Sequence, residues 1–414
     1  MYRRVVVTGM GAVTPVGNTV DEAWENLKAG KSGITTITRF DVSELETKFG
    51  GEIQNFDADA LFGRKEARRM DRYTHFAMEA SRQAIADSKL LENGTDREQV
   101  GLVIGSCVGG MDTAFSQYDV LKQRGPSKVN PFAIPMILSD TAPARIAIDF
   151  GLRGPNMAVV SACATGSNSL GEAFEMIVRG AADAIIAGGA EAATNPLIIA
   201  GFNVMGALSA HNDNPAEACR PFDLHRDGFV MSEGSVVLVL EELEHAKKRN
   251  AKILAEFIGY GTSVDANHMA SPLGDGAGAA LAMRKAIARA GIDISEIDYI
   301  NAHGTATELN DKTETKAIKD VLGEHAYGIR ITSSKSMTGH LFGAAGAMEA
   351  LVCVKTLTDG IISPTINYVT PDPECDLDYT PNEARRADVS VAMSNSFGLG
   401  GHNATIILKK YTGN

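Results

Sequence analysis

Residues 157–180 read MAVVSACATGSNSLGEAFEMIVRG, and the way this stretch changes period decides the fold. Met157 to Val160 is a short apolar run, which predicts a strand. It breaks at Ser161-Ala162-Cys163. Leu170, Ala173, Phe174, Ile177 and Val178 then recur at the spacing of an amphipathic helix, with Gly180 as its stop. Cys163 therefore stands at a strand-to-helix turn, where unpaired N–H groups converge and the helix dipole is positive. That position favours a thiolate, the nucleophilic form of cysteine, and offers donors to the oxyanion formed when a thioester carbonyl is attacked. Small neighbours (Ala162, Ala164 and Gly166) leave the sulfur accessible. The same residues also fit an inert cysteine buried among small apolar side chains. This stretch alone leaves both readings open.

Strand-to-helix units recur on either side. Arg4 to Thr8 and Val100 to Gly105 are β-branched or apolar runs ending in glycine, hence buried strands. Asp21 to Ala29, Arg64 to Leu90 and Thr141 to Phe150 have helical periodicity, whereas residues 203–228 have none. From Ala251 the chain begins again. Ile253 to Tyr260 ends in Gly-Tyr-Gly as the first strand ends in Gly9-Met10-Gly11, and RKAIARAGI (284–292) repeats RQAIADSKL (82–90). Tyr299 to Ala302 matches Val100 to Gly105. Arg330 to Ser333 and the helix after Gly343 match the strand and helix around Cys163. The expectation is an α/β fold of two similar halves, residues 1–250 and 251–414. Strands alternating with helices predict mainly parallel sheets with helices on their faces and a site at the strand C-terminal ends, where Cys163 falls.

Composition narrows the function. Of 414 residues 44% are hydrophobic and 22% charged, as in a globular protein, and a net charge of −12 argues against wholesale nucleic-acid binding. The five cysteines are scattered without CxxC spacing, which predicts neither a disulfide framework nor a metal site and favours a reducing, cytoplasmic compartment. No apolar stretch is long enough to span a membrane. The GMG at residues 9–11 lacks the third glycine and following helix of a dinucleotide fingerprint.

Two second-half segments follow strand ends as Cys163 does: Asn301-Ala302-His303-Gly304-Thr305-Ala306-Thr307, and Ser334-Lys335-Ser336-Met337-Thr338-Gly339-His340. A pseudo-twofold between the halves would set Lys335 to His340 opposite Cys163. Either histidine alone reads as a hydrogen-bonded structural residue; two of them converging on a cysteine read as a catalytic site. Glu349 lies on a helix apolar nearly all round, so it needs a partner, and Lys335 is the candidate. The alternative is that both are half-exposed and solvated. Ser396-Phe397-Gly398-Leu399-Gly400-Gly401-His402 is a glycine-rich loop able to donate a second N–H to the oxyanion. Asp265, His268 and His402 are at best supporting residues. Lys65, Arg68, Arg69 and Arg72 lie at helical spacing on one face, either solvated or a docking patch for an acidic partner.

The motifs VVSACATGSNS, NAHGTAT, SKSMTGHLFGAAGAMEA and SNSFGLGGHN, in this order, resemble those of the β-ketoacyl-(acyl-carrier-protein) synthases of type II fatty acid synthesis, in their elongating branch. The resemblance covers essentially the whole chain. It implies a thiolase-like fold layered α-β-α-β-α, usually a homodimer, and a ping-pong decarboxylative condensation of a fatty acyl thioester with a malonyl thioester. In that scheme Cys163 is acylated, and His303 and His340 stabilise the enolate. Lys335 and Glu349 set the electrostatics, and the N–H groups of Cys163 and Leu399 form the oxyanion hole. Thr305 and Thr307 would contact phosphopantetheine, which arrives on the acyl carrier protein; no bound cofactor or metal is implied. Val108 would set acyl length, and Lys65, Arg68, Arg69 and Lys128, with Arg124 nearby, would dock the acidic carrier. Gly206 departs from a basic docking position, and Leu399 replaces the family's usual phenylalanine beside Phe397 in the gating loop. A polyketide ketosynthase shares these motifs; a non-catalytic chain-length-factor-like subunit would lack the nucleophile.

Overall fold

In the computed structural model, which describes residues 3–92 and 94–413, the halves are built alike. The first contains β1 (Val5–Val13), α1 (Arg72–Ser88), β2 (Val100–Gly105), β3 (Asn156–Met157), α2 (Thr165–Val178), β4 (Ala184–Glu191) and β5 (Gly234–Glu242). The second repeats the order as β6 (Ala255–Val264), α3 (Ala277–Ala290), β7 (Tyr299–Asn301), α4 (Glu308–Leu322), β8 (Arg330–Thr332), α5 (Ala345–Asp359), β9 (Val391–Gly398) and β10 (His402–Lys409).

Strand order is β3-β2-β4-β5-β1 in one half and its mirror, β6-β10-β9-β7-β8, in the other. Within each half four strands run one way, and only β5 or β10 is antiparallel to its neighbours. The halves meet through antiparallel pairing of Val5, Val6 and Val7 with Phe257, Glu256 and Ala255, so ladder bonds join the two five-stranded units into one ten-stranded sheet. The sheet folds around α2 and α5. Leu170, Phe174 and Ile177 of α2 and Met348, Leu351 and Val354 of α5 share one core with residues of both sheet halves. Outside, α1 packs on the first half through Tyr73, Phe76, Ala80 and Ala84, and α3 and α4 cover the second. The result is the layered helix–sheet–helix–sheet–helix arrangement expected.

Three local expectations change. The helical pattern from Arg64 to Leu90 is two helices, Arg64–Ala67 and Arg72–Ser88. Asp71 breaks it by accepting from the N–H of Tyr73 as an N-cap and from the N–H and hydroxyl of Thr113 at 2.9 and 2.6 Å. The run predicted as a strand to Val160 pairs with β2 only at Asn156 and Met157, and Val160 is 57% exposed beyond it. The second-half counterpart of Cys163 is Gly343 rather than the Lys335–His340 segment. Ala162 (φ 49°) and Phe342 (φ 47°) open equivalent 3-10 turns into α2 and α5, and Lys335–His340 is extra chain before the second turn.

Candidate active site

Cys163 is held at the bottom of a cleft between the halves. Ala162 takes a left-handed backbone conformation that costs a non-glycine residue of order 1–3 kcal/mol and swings the sulfur toward the second half. The turn is tied by the Ser161 N–H to the Thr165 hydroxyl at 2.8 Å and by the Ala164 N–H to the Ser161 carbonyl at 3.1 Å. The loop after β9 lies hard against it: a Cβ on Gly398 would stand 3.0 Å from the Cys163 nitrogen. Burial pushes the Cys163 thiol up to about 11, against the pull of the Leu399 N–H, Lys335 and its own N–H. The thiolate expected from the helix terminus is therefore overruled by desolvation, and the sulfur is protonated at neutral pH. The two N–H groups that face it are those assigned to the oxyanion hole.

His303 and His340 close the site from the other half. Sγ of Cys163 and a ring nitrogen of each histidine lie within 4.8 Å of one another, and all three residues are buried. Nδ1 of His303 faces Nζ of Lys335 at 3.3 Å, and Nδ1 of His340 accepts from the Phe342 N–H at 3.3 Å. Both Nδ1 atoms meet donors, so each ring carries its proton on Nε2. Desolvation, then the Lys335 charge, holds both well below the ordinary histidine range, so they are neutral. Nε2 of His340 has no partner among the described residues and is buried. Two neutral Nε2–H donors beside a thiol suit a substrate oxygen. They do not suit a metal, which would need those lone pairs free.

Lys335 and Glu349 are both buried and form an ion pair, as the sequence suggested. Lys335 also donates to the His303 carbonyl at 2.6 Å, and Glu349 accepts from Ser396 at 3.1 Å, which in turn contacts Ser167 of α2 at 2.8 Å. Burial pushes Glu349 up to about 7 despite Lys335. Thr305, Thr307, Phe397 and Leu399 line the cleft above Cys163, with the two threonine hydroxyls 3.0 Å apart. Val108 packs in the apolar cluster around Cys163 with Phe202 and Phe342, both of which line the cleft. Lys65, Arg68 and Lys128 are exposed. Arg69 instead binds Glu66 at 3.0 Å, and Arg72 turns inward onto buried Glu233, so the predicted four-residue basic face is not continuous.

Two supports, Glu314 and Glu191, escape the sequence, and Asp265, which it offers as at best a supporting residue, braces the glycine loop. Glu314 of α4 accepts the His303 and Gly304 N–H groups, each at 2.8 Å, and is pushed up to about 7 by burial. Glu191 accepts four donors beneath the Cys163 turn. Asp265 binds Asn403 at 2.7 Å, while its N–H meets Gly401, bracing the glycine loop.

The mirrored halves and the Cys–His–His cleft define a thiolase-like condensing fold. The chain belongs to the β-ketoacyl synthase family: the family's N-terminal domain matches residues 2–246 and its C-terminal domain residues 254–369. It is 51% identical to a 3-oxoacyl-(acyl-carrier-protein) synthase 2 from Synechocystis sp. over 99% of this chain and 98% of that one. It is 49% identical to the synthase 2 of Staphylococcus aureus over 99% of each. A type II polyketide ketosynthase, solved in complex with its acyl-carrier protein, superposes with a TM-score of 0.91 at 35% identity over 100% of both chains.

Proposed function

We propose that this chain is an elongating 3-oxoacyl-(acyl-carrier-protein) synthase, condensing a Cys163-bound fatty acyl group with malonyl-carrier protein. The convergence of the Cys163 sulfur on two neutral histidine donors within 4.8 Å carries the reading. In the first half-reaction the Cys163 sulfur attacks the acyl thioester that the carrier's phosphopantetheine brings, and the thiol proton leaves with the departing pantetheine thiol. In the second, Nε2–H of His303 and His340 hold the malonyl thioester oxygen while the carboxylate leaves as CO2. The negative charge that develops there is met by fixed donors, each typically worth ~10²–10³ in rate. The enolate carbon attacks the Cys163 thioester, whose oxyanion rests on the Cys163 and Leu399 N–H groups. Collapse expels the sulfur, which regains a proton, and the β-ketoacyl chain leaves on the carrier two carbons longer.

No bound cofactor takes part; phosphopantetheine comes and goes as a substrate group. Lys65, Arg68 and Lys128 receive the acidic carrier, with Arg69 in support. The working form is a homodimer. The edge at β3, unpaired among the described residues, with Val160 beyond it and Ile148 76% exposed nearby, is the apolar surface that a second copy would cover. Among the described residues no helix is long and apolar enough to cross a membrane. With five free cysteines the enzyme works in the cytoplasm.

The test is intact-mass measurement after incubation with acyl-carrier proteins of graded chain length. Stoichiometric acyl adducts on the wild type, lost in Cys163→Ala, are expected. No adduct at any length overturns the reading.

A further inference from the structure

The two halves build the same turn twice and use it differently. In the first, the N–H at Cys163 faces the reacting sulfur. In the second, the equivalent N–H, on Gly343, is already taken: it donates to Oε2 of Glu191 at 3.1 Å. That oxygen also accepts from the Cys107 N–H at 2.8 Å. Oε1 accepts from the Ser106 hydroxyl at 2.8 Å and the Val108 N–H at 3.4 Å. Glu191 is wholly buried, and all four partners are neutral donors. A Cβ on residue 343 would lie 2.8 Å from Oε2 and 2.9 Å from the Cys107 nitrogen, so the carboxylate and a side chain cannot share the place.

The residue before Gly343 reaches the chemistry. Phe342 has φ 47°, its N–H donates to Nδ1 of His340, and its ring stacks on the His340 ring at 4.7 Å and 9°. We propose that Glu191 is a positioning residue for His340: by gripping the Gly343 N–H it fixes Phe342, whose own N–H keeps Nδ1 an acceptor and the proton on Nε2. A carboxylate offers only acceptors, which is what two converging backbone N–H groups require. Glutamine keeps one such oxygen for the Gly343 and Cys107 N–H groups; its amide N–H can face the Ser106 hydroxyl, which accepts as readily as it donates, and only the long 3.4 Å contact from the Val108 N–H is given up. Aspartate falls one methylene short.

The kinetic consequence rests on the condensing reaction proposed above; the tautomer does not. The experiment therefore has two arms. In protein labelled with ¹⁵N-histidine, ring ¹⁵N–¹H correlation should show His340 as the Nε2–H tautomer in the wild type and in Glu191→Gln, and as a mixture in Glu191→Asp and Glu191→Ala. His303, held by Lys335 instead, is the internal control and should not change. In the kinetic arm, malonyl-carrier decarboxylation should fall about tenfold or more in Glu191→Asp and Glu191→Ala, as a misplaced donor implies, with Cys163 acylation within about threefold and Glu191→Gln near wild type. An unchanged His340 tautomer in Glu191→Asp overturns the proposal, and so does a joint change of His303 and His340, which would mark general loosening. A wild type that neither loads nor decarboxylates would refute the reaction while the tautomer arm still decides the role of Glu191.

Discussion

The first half supplies one reactive atom; the second supplies the groups that give the site its polarity. Both halves end a strand in a loop whose N–H groups are gathered by a buried carboxylate, Glu191 under Cys107 and Glu314 under His303. Both turn into a central helix whose second residue is a glycine in contact with the other helix. A Cβ on Gly166 would stand 2.7 Å from the Ala347 nitrogen, and one on Gly346 would stand 2.5 Å from the Ser167 nitrogen. The framework is thus near-symmetric at the two turns and the helices they open, while the second half adds the Lys335–His340 segment ahead of its turn. Duplication provides two equivalent strand-end turns facing across a seam. A condensation needs a nucleophile on one and oxygen-directed donors facing it, and here the donors are His303, on another strand-end loop, and His340, on the segment before the second turn.

The largest expected effect tests where the charge is stored. Glu349 is the fifth residue of α5, and the fifth residue of α2 is Ser169, also buried. Removing one partner of a buried ion pair strands the other charge, so Lys335→Met should destabilise the protein by about 3–5 kcal/mol in urea denaturation. Lys335→Met with Glu349→Leu should recover part of that loss, because no unpaired charge then remains. Ser169→Ala should stay within about 1 kcal/mol, since its hydroxyl has no partner among the described residues to lose. Equal losses in Lys335→Met and Ser169→Ala would break the asymmetry.

A second measurement sharpens it from the nucleophile's side. Burial moves the Cys163 thiol from an ordinary 9.0 to about 11, which disfavours the charged form. Each pKa unit is tenfold, so the thiolate at neutral pH is depleted about 100-fold relative to an unperturbed cysteine. Alkylation of Cys163 by iodoacetamide, followed by mass, should therefore keep climbing with pH to about 11. Lys335→Met should push that midpoint higher, because Lys335 stabilises the thiolate. A plateau below pH 9 would mean that the turn's N–H groups outweigh burial.

That conflict between local position and burial also marks how far the sequence could be read. The strand-to-helix breaks at Cys163, His303 and Lys335–His340 were legible because small residues interrupt apolar runs there, and the repeat of RQAIADSKL by RKAIARAGI exposed the two halves. The supports were not legible. Glu314 sits in ELNDKTETKAIKDVL, which reads as a solvated polar helix, and only the packing of α4 under the His303 loop buries it. Asp71 sits within an unbroken helical pattern, and its capping role depends on Thr113, distant in sequence. Backbone position alone favours a thiolate at Cys163, while burial, a property of the assembled fold, decides the sign. Extra chain before Phe342 hid Gly343 as the counterpart of Cys163.

The smallest effect bears most directly on that counterpart. Gly343 does not have a positive φ, so alanine is permitted by the backbone, and any cost must come from the space that Glu191 and Cys107 occupy. Forcing a methyl group into a packed site costs about 1–3 kcal/mol, and Gly343→Ala should lose that much in urea denaturation. Cys163→Ala changes the equivalent residue of the first half, where the side chain faces an open cleft, and should stay within about 1 kcal/mol of wild type. If Gly343→Ala is as stable as Cys163→Ala, the carboxylate can move aside, and the second turn is vacant by sequence alone. If only Gly343→Ala falls, the second turn is closed to a side chain because an anion already holds its N–H, and one nucleophile is all this framework can carry.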